Sequence, residues 1–185
     1  MNTQADAECG VSESVDAAQR SVSPACFKQA MRHLAGTVCV ITVADGDERG
    51  GLAATSVVSV AAEPAEIMVA VNQASSSWPL LARSQRFGVN LLSTQQQGLA
   101  NQFAGVDGRK GAERYAGHDW VQSEAGVWLL RQAPAALACE VAGIWERHSH
   151  ALVIGRVVDV HFGEATDASP LLYWQAHYGS FKVGG

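Results

Sequence analysis

Cysteine is sparse and unpatterned in this chain of 185 residues. Cys9, Cys26, Cys39 and Cys139 form no CxxC and no even framework of close spacings, which argues against a disulfide scaffold and for a reducing compartment. Cys39 and Cys139 sit in apolar, strand-like runs, where a thiol is expected to behave as a small hydrophobe. Long apolar runs are also missing. No stretch approaches the ~20 residues of a membrane span. The N-terminus has no basic region followed by an apolar one, so no secretory signal is expected. Basic residues do not dominate: the formal net charge is −5, giving no reason to expect nucleic acid or an anionic membrane as partner. A cytoplasmic protein is expected.

Several chemical signatures are absent as well. There is no GxSxG elbow, no GxGxxG opening a helix and no GxxxxGK[ST]. Gly105 to Gly111 (GVDGRKG) has the wrong spacing for a phosphate loop and lacks Ser or Thr after its lysine. His148 and His150 alternate along the chain, but two ligands are too few for a metal site, and none is expected.

What remains is a globular composition, 48% hydrophobic and 17% charged, on a length that suits one domain. Residues 1–22 are polar and small and read as a flexible leader, so the single domain is assigned to 23–185. Ser23-Pro24 opens a helix with Phe27, Met31 and Leu34 at helical spacing and Gly36 at its end. Strand patterns follow at Thr37 to Ala44, Gly50 to Ala62, Ile67 to Asn72 and Phe87 to Leu92. A short helix starts at Ser77-Trp78-Pro79, and Thr94 with Gln97 reads as a capping box for another that carries Leu99 and Phe103. Gly105 to Asp119, charged and glycine-rich, reads as a mobile surface excursion. Two long strands, Leu137 to Trp145 and Ala151 to Phe162, precede an aromatic tail. Strands dominate without strand–helix alternation, so the expected fold class is mainly β, an antiparallel barrel with peripheral helices.

Two segments carry candidate chemistry. Ala53, Ala54, Thr55, Ser56 and Ser59 offer amides and hydroxyls with little side-chain bulk. They suit a flat, hydrogen-bonding ring, or else tight packing against a helix. Asn72, Ser75, Ser76 and Ser77 precede the helix at Pro79, where serines form an anion site or simply cap the helix.

Phe27 to Thr42 (FKQAMRHLAGTVCVIT), the run from GLAATSVVSV to SSSWPLL, FGVNLLSTQQQGLANQFAG, HALVIGRV and PLLYWQAHY occur in that order at natural spacings. Together they resemble the short-chain flavin reductases of two-component monooxygenases, within the FMN-binding split-barrel folds. The resemblance covers nearly all of Phe27 to Tyr178. It implies a Greek-key-like split barrel, a homodimer, and reduction of free FMN or FAD by NADH or NADPH for a partner monooxygenase. By position it implies that Ala53, Ala54, Thr55 and Ser56 hold the flavin ring and ribityl chain. Asn72, Ser75 and Ser77 would then lie near ribityl and phosphate, and Phe103 and Ala104 would flank the phosphate or adenylate end. His150 corresponds to the histidine of the family's Gly-Asp-His motif beside the nicotinamide, and Tyr178 to a tail aromatic of the same pocket. The chain departs from the pattern at His148-Ser149, in place of Gly-Asp, at Ala53, in place of threonine, and at Ala65, in place of a second proline.

The implied reaction is hydride transfer from nicotinamide C4 to flavin N5, with His150 orienting and no essential protein acid or base. Two other readings stay open: a non-catalytic flavin- or haem-binding barrel, and a flavoprotein whose fixed flavin reduces another acceptor.

Overall fold

A computed structural model describes residues 22–164 and 169–181. The expected leader falls almost wholly outside them. Ser23 caps α1 (Pro24–Met31), its hydroxyl accepting from the Cys26 amide at 3.2 Å. The apolar stripe of α1 faces outward, however: Phe27, Met31 and Leu34 are 55%, 45% and 69% exposed. Cys26 is disulfide-bonded, a bond that the scattered spacing did not announce.

The central sheet has seven antiparallel strands in the order β3-β2-β6-β9-β10-β5-β4. These are β2 (Cys39–Asp45), β3 (Glu48–Ala54), β4 (Val57–Ala62), β5 (Ala65–Asn72), β6 (Arg86–Leu91), β9 (Ala135–Arg147) and β10 (His150–His161). β1 (Gly36–Thr37) pairs instead with β11 (Leu171–Trp174), which pairs with β12 (His177–Ser180). A small pair, β7 (Trp120–Gln122) and β8 (Trp128–Leu130), completes the strands, and the sequence pattern had missed it.

The expected single run from Gly50 to Ala62 is two strands on opposite edges of this sheet. Only Thr55 and Ser56 join them, and two residues span little more than 10 Å even when extended. The sheet must therefore curl until its edges nearly meet. The Ser56 hydroxyl donates to the Ala70 carbonyl at 2.9 Å, and β4 then continues along β5. The barrel is split at this seam, since no ladder joins β3 to β4.

Alternating side chains of β2, β5, β6 and β10 point inward. Ile41, Val43, Phe87, Val69 and Val153 form one core cluster, into which α2 (Trp78–Ser84) sets Leu80 and Leu81. A second cluster joins Leu99 and Phe103 of α3 (Gln97–Ala104) to Leu129, Leu130 and Leu171. Asn90 is fully buried between β2 and β8, donating to the Val40 carbonyl at 3.0 Å and accepting from the Leu130 amide at 2.7 Å. Burial raises the Cys39 and Cys139 thiols to about 12, which fits their role as small hydrophobes.

Two local expectations need correction. The capping box lies one residue earlier, with Ser93 and Gln96 opening a 3₁₀ turn before α3. The stretch from Gly105 to Asp119 runs over the surface, as expected, but is anchored at one point. A 3₁₀ turn at Gly111–Tyr115 buries Arg114 and Tyr115, and Gln102 holds it by donating to the carbonyls of Arg114 at 2.8 Å and Ala116 at 3.1 Å. Arg114, read as solvated, is in fact buried, and its carbonyl accepts from the helix before it.

Candidate functional site

β3 is an edge strand, so one side of its backbone has no strand partner. Near its middle this edge is closed. Ser77, at 2% exposure, accepts from the Gly51 amide at 2.8 Å and donates to the Gly51 carbonyl at 2.9 Å. The same carbonyl accepts from Arg114 Nη1, while Arg114 Nε donates to the Arg109 carbonyl at 3.0 Å. A Cβ at Gly51 would stand 2.5 Å from both the Ile41 carbonyl and the Phe103 ring, so only glycine fits. Tyr115 seals the neighbouring residue, donating to the Gly50 carbonyl at 2.6 Å, and burial holds its phenol in the neutral form.

Backbone groups alternate along a strand. Ala53, two residues on from Gly51, therefore turns its N–H and C=O to the same outer edge, now beyond the reach of Ser77. Here a cavity of about 390 Å³ opens. Its walls are Ala53, Ala54 and Thr55 from the end of β3, Asn101, Ala104 and Val106 from around the end of α3, and Tyr173, Ala176 and Tyr178 from the β11–β12 hairpin, with Val38 behind. Gly105, at φ 79°, ends α3 and lets the chain turn along this wall. The surfaces are methyl groups, aromatic edges, one carboxamide and an unpaired backbone edge. Tyr173 and Tyr178 meet edge-to-face with centroids 5.3 Å apart. Burial, and then the adjacent Tyr173, raise the Tyr178 phenol above its ordinary range, so it stays neutral. A flat heteroaromatic ring with hydrogen-bonding edges fits such a slot.

The structure thus brings Ala53, Ala54, Thr55, Ala104 and Tyr178, which the resemblance spread over the flavin ring, the phosphate end and the nicotinamide side, to one cavity. Other expected residues lie elsewhere. Ser56 uses its hydroxyl on Ala70, and Ser59 is exposed on β4. Asn72 caps its own turn, accepting from the Ala74 amide at 2.9 Å, and the Ser75 hydroxyl accepts from the Ser77 amide at 3.3 Å. Phe103 is 1% exposed and packs on Tyr115 and Trp120, supporting the wall from behind. His150 opens β10 directly across from Asn72, its Nδ1 3.0 Å from the Ser149 hydroxyl. It does not line the cavity, but Asn72 lies only two residues along β5 from Ala70, the partner of Ser56. Asn101, Tyr173 and Ala176 were missed. Only the juxtaposition of α3 with the tail hairpin reveals them, although the aromatic tail was a usable signal.

Residues 31–182 match the flavin reductase like domain. The chain is 35% identical over 158 residues to FMN reductase (NADH) RutF 2 of Methylorubrum extorquens, covering 85% of this chain and 90% of that protein. It is 36% identical over 161 residues to the reductase component of the FADH(2)-dependent resorcinol hydroxylase of a Rhizobium species, covering 86% and 88%. Among solved structures, a flavin reductase domain protein from an Arthrobacter species superposes with a TM-score of 0.79 at 30% identity, covering 88% of this chain and 98% of that one.

Proposed function

This chain belongs to the flavin reductase like domain family, and on that premise we propose how its own residues serve the reduction of FMN or FAD by NADH or NADPH for a partner monooxygenase. The flavin ring occupies the cavity between the end of β3, α3 and the tail hairpin. The single observation that carries this is the change along the β3 edge from closed at Gly51 to open at Ala53. There the backbone N–H and C=O of Ala53 are placed to pair with the polar edge of the ring, and the methyl groups of Ala54 and Ala104 leave its faces free. Asn101 supplies one more donor and acceptor.

When both are bound, hydride passes from nicotinamide C4 to flavin N5, and the chemistry belongs to the cofactors. The protein aligns two rings and keeps water from between them. Tyr178, held neutral, offers an uncharged aromatic edge. His150 and Asn72 orient the nicotinamide side, with Ser149 fixing the His150 ring. The cavity is open, which suits a flavin that must leave after reduction.

The outer face of the barrel supports a homodimer. Cross-strand registers place Val58, Met68 and Ile154 in one row, Ala70, Leu152 and Trp145 in the next, and Asn72, His150 and Arg147 in a third. Val58 is 52% and Trp145 61% exposed. An apolar sheet face of this kind calls for a cover, and a second copy placed there would meet the seam beside each flavin cavity. Sedimentation equilibrium tests this: a dimer is expected, and Ile154→Glu is expected to give folded monomer.

No helix among the described residues is long and apolar enough to cross a membrane. The need for reduced nicotinamide favours the cytoplasm, and cell fractionation tests it. The main test is steady-state oxidation of NADH and NADPH with FMN, FAD and riboflavin as acceptors. Flavin-dependent turnover is expected, with flavin lost on dialysis. No oxidation of either dinucleotide, with or without added flavin, overturns the reading in favour of a binding barrel. Retained yellow protein favours a fixed flavin that serves another acceptor.

A further inference from the structure

Arg114 carries a full charge into a buried place, at 9% exposure. Such a guanidinium ordinarily has a carboxylate beside it. None of the ion pairs among the described residues includes Arg114. Its neighbour Glu113 is exposed, and the Glu113 carboxylate accepts from the Lys110 amide at 3.3 Å. Carbonyl oxygens hold Arg114 instead: Nε donates to Arg109 at 3.0 Å, and Nη1 donates to Gly51. Carbonyls satisfy the N–H groups and leave the charge uncancelled.

The guanidinium lies directly behind the flavin cavity. Its remaining nitrogen, Nη2, stands 3.5 Å from the point where a Cβ on Gly105 would lie. Ala104 and Val106, on either side of Gly105, both line the cavity. On the strand side, Gly51 is two residues from Ala53, about 7 Å along β3. Arg114 therefore bridges the closed part of the β3 edge and the end of α3, one layer of backbone from the cavity.

The cavity walls themselves bring no charged side chain. Two other sources of field lie close by. The C-terminus of α3, at Gly105, presents roughly half a negative charge. The Asp107–Arg109 pair, 3.2 Å apart and half exposed, largely cancels itself. A full positive charge outweighs the half negative one, and burial limits its screening by salt. The back of the cavity is left net positive.

That sign matches the charge the reaction creates. The oxidised flavin ring is uncharged. In hydride transfer the nicotinamide C4–H bond breaks and the flavin N5–H bond forms, with two electrons and one proton moving together. Nicotinamide becomes cationic and the flavin ring anionic. The new negative charge spreads over N1 and the C2 carbonyl, on the polar edge that the pairing with Ala53 turns toward β3. A fixed positive charge stabilises this product, and the transition state leading to it, more than the uncharged reactant.

We propose that Arg114 is a positioning residue for flavin reduction, holding a positive field on the cavity that favours the anionic reduced ring. It acts across the wall, through the Gly51 carbonyl and the end of α3, without touching the ring. One intervening layer keeps the bias modest, which lets reduced flavin leave. The assignment rests on the flavin reductase reading and adds to it the residue that biases the bound ring toward reduction.

The test is equilibrium binding of oxidised FMN and, without oxygen, of dithionite-reduced FMN. Arg114→Gln removes the charge and keeps a donor for Gly51, whereas Arg114→Lys keeps the charge. The unaltered protein is expected to bind reduced FMN about threefold more tightly than oxidised FMN, or better. In Arg114→Gln the ratio of reduced to oxidised Kd is expected to rise about tenfold, equivalent to a fall of ~30 mV in the potential of the bound two-electron couple. In Arg114→Lys the ratio is expected to stay within about twofold of the unaltered protein, even if both constants shift together. A residue that only braced the wall would weaken both forms equally, so an unmoved ratio in Arg114→Gln overturns the proposal. Equal changes of the ratio in the Gln and Lys variants overturn it too. Should Arg114→Gln fail to fold, the unaltered protein decides: reduced FMN bound no more tightly than oxidised FMN overturns the proposal. An unaltered protein that binds neither form overturns the reductase reading itself, and the proposal with it.

Discussion

Gly51 and Ala53 lie two residues apart on one strand, with their backbone groups turned to the same edge, and their surroundings are opposite. At Gly51 every outward group is consumed: Ser77 takes both the amide and the carbonyl, Arg114 shares the carbonyl, and Phe103 fills the space a side chain would need. At Ala53 the edge is bare and faces a cavity. The two positions look alike in sequence, both small residues in one β run. The difference teaches that a small residue in this strand serves packing where Ser77, Arg114 and Phe103 close over it and borders a cavity where they no longer reach.

The strongest way to break the comparison is Gly51→Val. Backbone at Ile41 cannot yield, so the variant is expected to lose about 3 kcal/mol of stability or more, read as a large fall in Tm. A stable Gly51→Val protein would mean that the closed edge is looser than described. Next comes Ser77→Ala, which strips the Gly51 amide of its acceptor in a buried place. A cost of about 1–3 kcal/mol is expected in denaturant titration, with the flavin KM changed less than about twofold. A large rise in flavin KM with unchanged stability would instead make Ser77 a phosphate ligand.

Ala104→Trp acts on the open side. The residue is exposed at the cavity, so thermal stability should hold while the flavin KM rises about tenfold, equivalent to ~1.4 kcal/mol. Unaltered flavin saturation in that variant would move the ring out of this cavity. The smallest effect is expected at His150, which stands beyond the seam. His150→Ala is expected to lower kcat/KM for NADH roughly 2- to 10-fold, the value of one hydrogen bond, while equilibrium binding of oxidised flavin stays put. A fall in flavin affinity with the NADH dependence untouched would place His150 on the flavin side.

Much of this architecture was legible beforehand for local reasons. β-branched runs and turn residues located β2, β5, β6, β9 and β10, and Ser23-Pro24 marked the start of α1. The small residues at 53–55 marked a strand end of little bulk, which lines the cavity. Errors arose where local pattern met distant partners. Val38 divides one apolar run between two sheets, because its neighbours pair with β11 on one side and β6 on the other. The charged excursion after Gly105 looked solvated because composition alone does not show which groups bond it. Its partner was Gln102 of α3, together with the carbonyls of Gly50 and Gly51 some 65 and 63 residues away.

By itself, then, the sequence determined the β-rich class, the family pattern and the small-residue strand, since these follow from alternation, turn chemistry and motif order along a short span. Tertiary structure alone decided that one run would split at Thr55-Ser56 into opposite edges of a curled sheet. It also decided that Ser77 would be spent on Gly51, and that Tyr173 and Ala176 would close the cavity from the far end of the chain. Such outcomes depend on contacts between residues distant in sequence, and those form only when the edges of the barrel are brought together.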